Sequence, residues 1–147
     1  MENHELFMSE ALLEARLAGQ RDEVPVGAVV VRDGEIIARA GNSREGDKNA
    51  LCHAEIKAIN EACAALGGWR LVGCTLYVTL EPCPMCAGAI INSRVENVVF
   101  GAYDLKAGAF GSMIDLTAYP LFKPKVTGGV LRDECATLLS EFFKKKR

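Results

Sequence analysis

The chain is 147 residues long, with 50% hydrophobic and 24% charged side chains and a formal net charge of -2. That is the make-up of one globular domain large enough to bury a core, and it argues against disorder and against a strongly basic nucleic-acid binder. The longest apolar-or-glycine runs, such as 85–91, fall far short of the roughly 20 residues of a membrane span, and no secretion signal is visible. A single cytoplasmic domain over residues 1–147, without membrane contact, is the expectation.

From His4 to Gly19 the chain predicts an amphipathic helix carrying Leu6, Phe7, Leu13 and Leu17, with acidic residues early and a glycine at its end. His4 itself falls in a frayed start. Val26 to Val31 reads as a buried strand, Asp33-Gly34 as a hairpin turn and Glu35 to Ala40 as the return strand. Gly41 to Ala50 is a polar loop. Ala54 to Leu66 is a helix with Ile56, Ile59, Cys63 and Leu66 at helical spacing, ended by Gly67-Gly68. Cys74 to Leu80 is a strand, Pro84 to Asn92 a helix rich in small residues, and Val95 to Gly101 a strand. The stretch from Tyr103 to Lys125 is irregular. Val126 to Val130 reads as a last strand and Leu131 to Lys146 as a final helix. A hairpin followed by alternating helices and strands predicts an α/β fold, a mixed sheet sandwiched between helices.

Charge is unevenly spread. From Lys123 onward there are seven basic and three acidic side chains, ending in Lys144-Lys145-Lys146-Arg147. This strip suits a phosphate-bearing partner, or equally a solvated helix end whose dipole favours cations. The six cysteines, with no secretion signal, do not read as a disulfide framework. Cys63, Cys74 and Cys135 read as small buried hydrophobes. Trp69 reads as a packing residue. Of the two histidines, only His53 stands among chemically suggestive neighbours.

His53-Ala54-Glu55 opens one predicted helix, and thirty residues later Glu81-Pro82-Cys83-Pro84-Met85-Cys86 joins a strand to the next helix. Successive elements of this kind bring both helix starts to one sheet edge, where open α/β sheets place their ligands. Cys83 and Cys86, three apart, share a helix face beside a helix N-terminus that favours thiolates. One imidazole and two thiolates make three zinc ligands, and catalytic zinc sites keep the fourth position for water. Glu55 projects differently from His53 and is the best available proton shuttle. The bland readings are a redox Cys-x-x-Cys pair, a closed structural zinc site using Cys52 or Cys74, and Glu55 as a plain surface carboxylate.

His-x-Glu with Pro-Cys-x-x-Cys is the signature of zinc-dependent base deaminases. The sequence resembles the cytidine deaminase-like superfamily, and within it the bacterial tRNA-specific adenosine deaminases. The matching stretches are Val24-Pro25-Val26-Gly27-Ala28, Asn42, His53-Ala54-Glu55, Leu71 to Gly88, Phe100 to Asp104, Gly111-Ser112 and Leu138 to Phe143. The resemblance implies a three-layer α/β/α sandwich with a five-stranded sheet, acting as a homodimer. It implies one zinc ion per chain on His53, Cys83 and Cys86, with Glu55 moving protons. It places Asn42 and the backbone around Ala54 against a flipped base, and Asp104 near the nucleotide. Asn42 after Gly41 is alternatively a turn residue, and Asp104 a loop carboxylate. The implied reaction turns adenosine into inosine in a tRNA anticodon stem-loop. The implied pattern is departed from at Asn49-Ala50-Leu51-Cys52, where the family usually has Pro-Thr-Ala, and at Leu121 to Lys125. Both places flank the substrate, so a deaminase of a free nucleobase or nucleoside is the second reading.

Overall fold

The computed structural model describes residues 3–146. Among them, helix α1 (His4–Gln20) leads to strands β1 (Gly27–Arg32) and β2 (Glu35–Gly41). Helix α2 (Ala54–Leu66), strand β3 (Cys74–Leu80), helix α3 (Pro84–Asn92) and strand β4 (Asn97–Ala102) follow. A single 3-10 turn (Leu116–Ala118), strand β5 (Lys125–Thr127) and helix α4 (Arg132–Lys145) complete the order. The five strands form one mixed sheet in the order β2-β1-β3-β4-β5. The β1–β2 and β1–β3 pairs are antiparallel, and the β3–β4 and β4–β5 pairs are parallel. This is the expected α/β sandwich.

The hairpin turns where Asp-Gly predicts it. Asp33 and Gly34 both have positive φ, 51° and 77°, as a two-residue hairpin turn requires. Alternation along the strands then sends residues to two cores. Ala28, Val30, Leu76 and Val78 pack with Ala54, Ala58 and Ala62 of α2 and Ala87 and Ile90 of α3. Val29, Val31, Tyr77 and Val99 pack with Met8, Ala11 and Leu12 of α1 and Cys135 of α4. The period of two along each strand makes this possible, because adjacent side chains point to opposite faces.

The buried stripe of α1 is Met8, Ala11, Leu12, Ala15 and Ala18, while Leu6, Leu13 and Leu17 remain exposed. Of the expected apolar face, Phe7 packs against the core but the three leucines do not. The reason is close approach: a Cβ on Gly27 would lie 2.1 Å from the Ala11 carbonyl oxygen and 2.4 Å from the Ala15 nitrogen. Helix and strand backbones nearly touch there, and only small side chains fit between them. His4 is also not frayed. It is the first residue of α1, and its Nδ1 lies 2.8 Å from the Tyr77 hydroxyl.

The remaining differences lie at element ends. Strand β4 starts two residues later than expected, and β5 is shorter, with Gly128-Gly129 following it. Gly128 packs against the Phe100 ring, where a Cβ would come within 2.5 Å. In α2, Ile59 is buried, while Ile56, Cys63 and Leu66 are only half-buried. No described helix is long and apolar enough to cross a membrane.

Candidate active site

The starts of α2 and α3 meet at the sheet edge where β3 ends. His53 precedes α2 in an extended conformation, and Cys83 precedes α3, with Pro84 in the first helical turn. Proline suits that position because its missing N–H has no intrahelical partner there anyway. Cys86 sits one turn into α3 and is buried. His53 Nδ1 lies 3.7 Å from Cys83 Sγ and 3.4 Å from Cys86 Sγ.

Those distances test whether a metal fits. Tetrahedral zinc with Zn–N near 2.0–2.1 Å and Zn–S near 2.3 Å separates nitrogen from sulfur by about 3.6 Å. The two observed separations bracket that value, and all three ligand atoms lie within 4.8 Å of one another. The residues therefore fit zinc. Among the described residues, His53, Cys83 and Cys86 form the metal-competent group; neither Cys52 nor Cys74 joins it. Cys74 lies buried at the far end of β3.

Protonation in the cluster is arranged around this shared centre. The Cys86 thiol donates toward Cys83 and, with help from His53, holds the Cys83 thiol far below its ordinary range. Cys86 is pushed up correspondingly by that hydrogen bond and by burial. His53 is raised, chiefly by its contact with Cys83. Glu55, in the first turn of α2, is pushed up to about 7, chiefly by burial. A Cys83 thiolate held by the Cys86 thiol and the His53 ring is a donor set that sheds its remaining protons when a divalent cation binds.

The group opens into a cleft of about 660 Å³ whose lining includes Glu23, Asn42, Arg44, Lys48, Asp104 and Phe142. Glu55 lines it as well and is buried, so it is no plain surface carboxylate. Asn42 is buried too, and its Oδ1 accepts from the Ala54 N–H at 2.8 Å. Of the backbone around Ala54, expected to lie against a base, the Ala54 N–H is thus engaged by Asn42, which ties the end of β2 to the start of α2. Asp104 lines the cleft while its Oδ1 accepts from the Lys106 and Ala107 N–H groups, both at 3.1 Å. It therefore also shapes its own loop. Asn49 and Ala50 line the cleft, and Leu51 beside them is exposed.

Two carboxylates that shape the walls were given no role by sequence reasoning. Glu81, only 2% exposed, accepts from the N–H groups of Asp104, Phe110 and Ser112, each at 3.1 Å, and from the Ser112 hydroxyl. The 104–112 loop is wrapped round it so tightly that a Cβ on Gly108 would meet the carboxylate at 2.4 Å. Glu23, 4% exposed, accepts from the Glu45 N–H at 3.2 Å and the Gly46 N–H at 2.7 Å. It fastens the loop that brings Arg44 and Lys48 to the cleft. The only sequence hint was the proximity of both to prolines, Pro25 and Pro82.

A family model for MafB19-like deaminases matches residues 2–147. The chain belongs to this deaminase family. The deaminase is 54% identical, over the whole of its length and 92% of the relative's, to a tRNA-specific adenosine deaminase of Bacillus subtilis (strain 168). It superposes with a TM-score of 0.88 and 49% identity on a structure from work on A-to-I editing by tRNA:A34 deaminases at the wobble position of transfer RNA. That match covers 90% of this chain and 98% of the other. A guanine deaminase from Nitrosomonas europaea matches with a TM-score of 0.83 and 29% identity, covering 97% of this chain and 85% of the other. The deaminase is thus an enzyme of the hydrolytic class that the cleft suggests.

Proposed function

We propose that this enzyme converts adenosine to inosine at the wobble position of a tRNA, with zinc on His53, Cys83 and Cys86. The observation that carries the reaction is the buried Glu55 carboxylate facing the cleft beside a histidine and two cysteines at zinc-ligand separations. The much higher identity to the tRNA-specific adenosine deaminase than to the guanine deaminase supports the substrate.

Zinc, when bound, supplies the Lewis acidity that makes water nucleophilic near neutral pH. Glu55 would take one proton from the water and pass it to the ring nitrogen, then carry the second, from the hydroxyl newly added to the ring carbon, to the amino group, which leaves as ammonia as the C–N bond breaks. Asn42, with its carbonyl oxygen committed to Ala54, offers its amide NH2 to the base. The Asp104 loop borders the nucleotide, while Ala54, fully buried with its N–H on Asn42, acts by holding Asn42 in place. A base stacked in a duplex cannot enter such a cleft, so a nucleotide splayed from an anticodon loop is the fitting substrate. The reading extends to a cytoplasmic homodimer, which the family resemblance supports.

A second reading, deamination of a free purine base, is favoured by the guanine deaminase likeness. Incubation with an anticodon stem-loop, and separately with free nucleobases and nucleosides, decides between them. Inosine in the loop is expected. Ammonia from small molecules, with the RNA untouched, would overturn the tRNA reading.

A further inference from the structure

A second groove, of about 490 Å³, lies far from the zinc site, at the starts of β4 and β5. Strand β3 runs from that edge, at Cys74, to the catalytic edge at Leu80. Seven residues at about 3.3 Å each put the two places roughly 20 Å apart. Four cations converge on this region from separate segments: Arg70 before β3, Arg94 before β4, Lys123 in the late loop and Lys125 in β5. The one carboxylate in the groove's lining, Glu96, accepts a hydrogen bond from the Gly73 N–H.

Two aromatic rings lie among these cations. Trp69 is 52% exposed, with the Arg70 guanidinium 4.3 Å and the Arg94 guanidinium 5.6 Å from its ring centre. Arg94 also lies 5.8 Å from the Phe122 ring. It is held there because it donates to the Ile91 and Asn92 carbonyls at 3.0 and 3.1 Å. Trp69 is therefore not the packing residue that the sequence suggests. Lysines lining a groove, beside an exposed ring flanked by guanidinium groups, are the chemistry of a nucleic-acid backbone track with a stacking platform.

We propose that this groove is a second RNA surface, which takes backbone phosphates on Lys123 and Lys125 and a stacked base on Trp69. It would grip the same tRNA whose loop nucleotide enters the catalytic cleft, so the proposal rests on the functional reading above. It also explains how a chain of net negative charge holds RNA: the cations are gathered locally.

The test is binding of a full-length tRNA transcript over a salt series, with wild type, the double variant Lys123→Ala/Lys125→Ala, and Trp69→Ala. Thermal denaturation checks folding, and sedimentation reads the oligomeric mass. Losing two phosphate contacts should make the plot of log affinity against log salt shallower by about 1.8 and weaken binding about tenfold at moderate salt. Trp69→Ala should weaken binding by about tenfold with the slope kept, because stacking releases no counterions, and Trp69→Phe should recover most of that loss. A merely structural role would not separate slope from affinity in this way. Wild-type slope and affinity in all folded variants would overturn the proposal. So would a loss of oligomeric mass with RNA affinity unchanged, which would make the groove a contact between copies. If wild type itself neither binds nor deaminates tRNA, the functional reading falls, and this inference falls with it.

Discussion

On the proposed reading Glu55 moves protons while His53, Cys83 and Cys86 hold the metal, and single substitutions should separate the two roles. Glu55→Gln keeps the shape and hydrogen-bonding reach of the side chain but removes its basicity. The variant should retain zinc by elemental analysis and lose turnover by at least about 10²-fold, the usual scale of a positioned acid–base group; full activity would remove Glu55 from the reaction. Cys86→Ala should instead lose the metal itself, because Cys86 is buried and is one of the three candidate ligands grouped among the described residues. Ligation requires the thiols and imidazole to shed protons, so protons compete with zinc. Zinc content after dialysis should therefore fall as the buffer is made more acid, and never rise.

At the scale of elements, two contacts set the shape of the cleft. The 104–112 loop is organised on Glu81, whose oxygens receive four donors. In Glu81→Gln the new amide NH2 faces backbone N–H groups that it cannot accept. A loss of about 2–3 kcal/mol in urea denaturation is expected, since hydrogen bonds to a charged group are among the stronger ones. The contact of α1 with β1 is the second. Gly27→Ala would drive a methyl into the Ala11 carbonyl, which is backbone and has no rotamer to escape with. Overpacking of this kind costs about 1–3 kcal/mol or more, and a clear drop in Tm is the expected reading.

For the whole molecule, the zinc candidates sit at the starts of two helices of one layer, while neither hydrophobic core includes a member of the metal group. Chelation should abolish deamination yet leave the far-ultraviolet circular dichroism nearly native, with a lowered Tm that zinc restores by linkage. Collapse of the helical signal on chelation would mean that the metal is structural. Arg147, the last cation of the basic strip, lies outside the described residues. Lys146 meets Asp22, in the turn after α1, at 2.5 Å in an exposed ion pair, so that cation has an acidic neighbour on the chain itself.

Helices α2 and α3 and strand β3 were legible end to end, because proline, glycine and the ligand-bearing turns punctuate them locally. The zinc candidates were legible for the same reason: their spacing is a short-range property, and metal chemistry restricts the residue types. The hairpin followed from Asp33-Gly34. What the sequence could not settle by itself concerned partners far apart in the chain. Examples are Asn42 on Ala54, Glu23 on residues 45–46, Glu81 on residues 104–112 and His4 on Tyr77. Nor could it choose the buried face of α1, where alanines won over leucines. Helical periodicity says that a face will be buried. Only the distance at which α1 settles on β1, set by Gly27, decides which one.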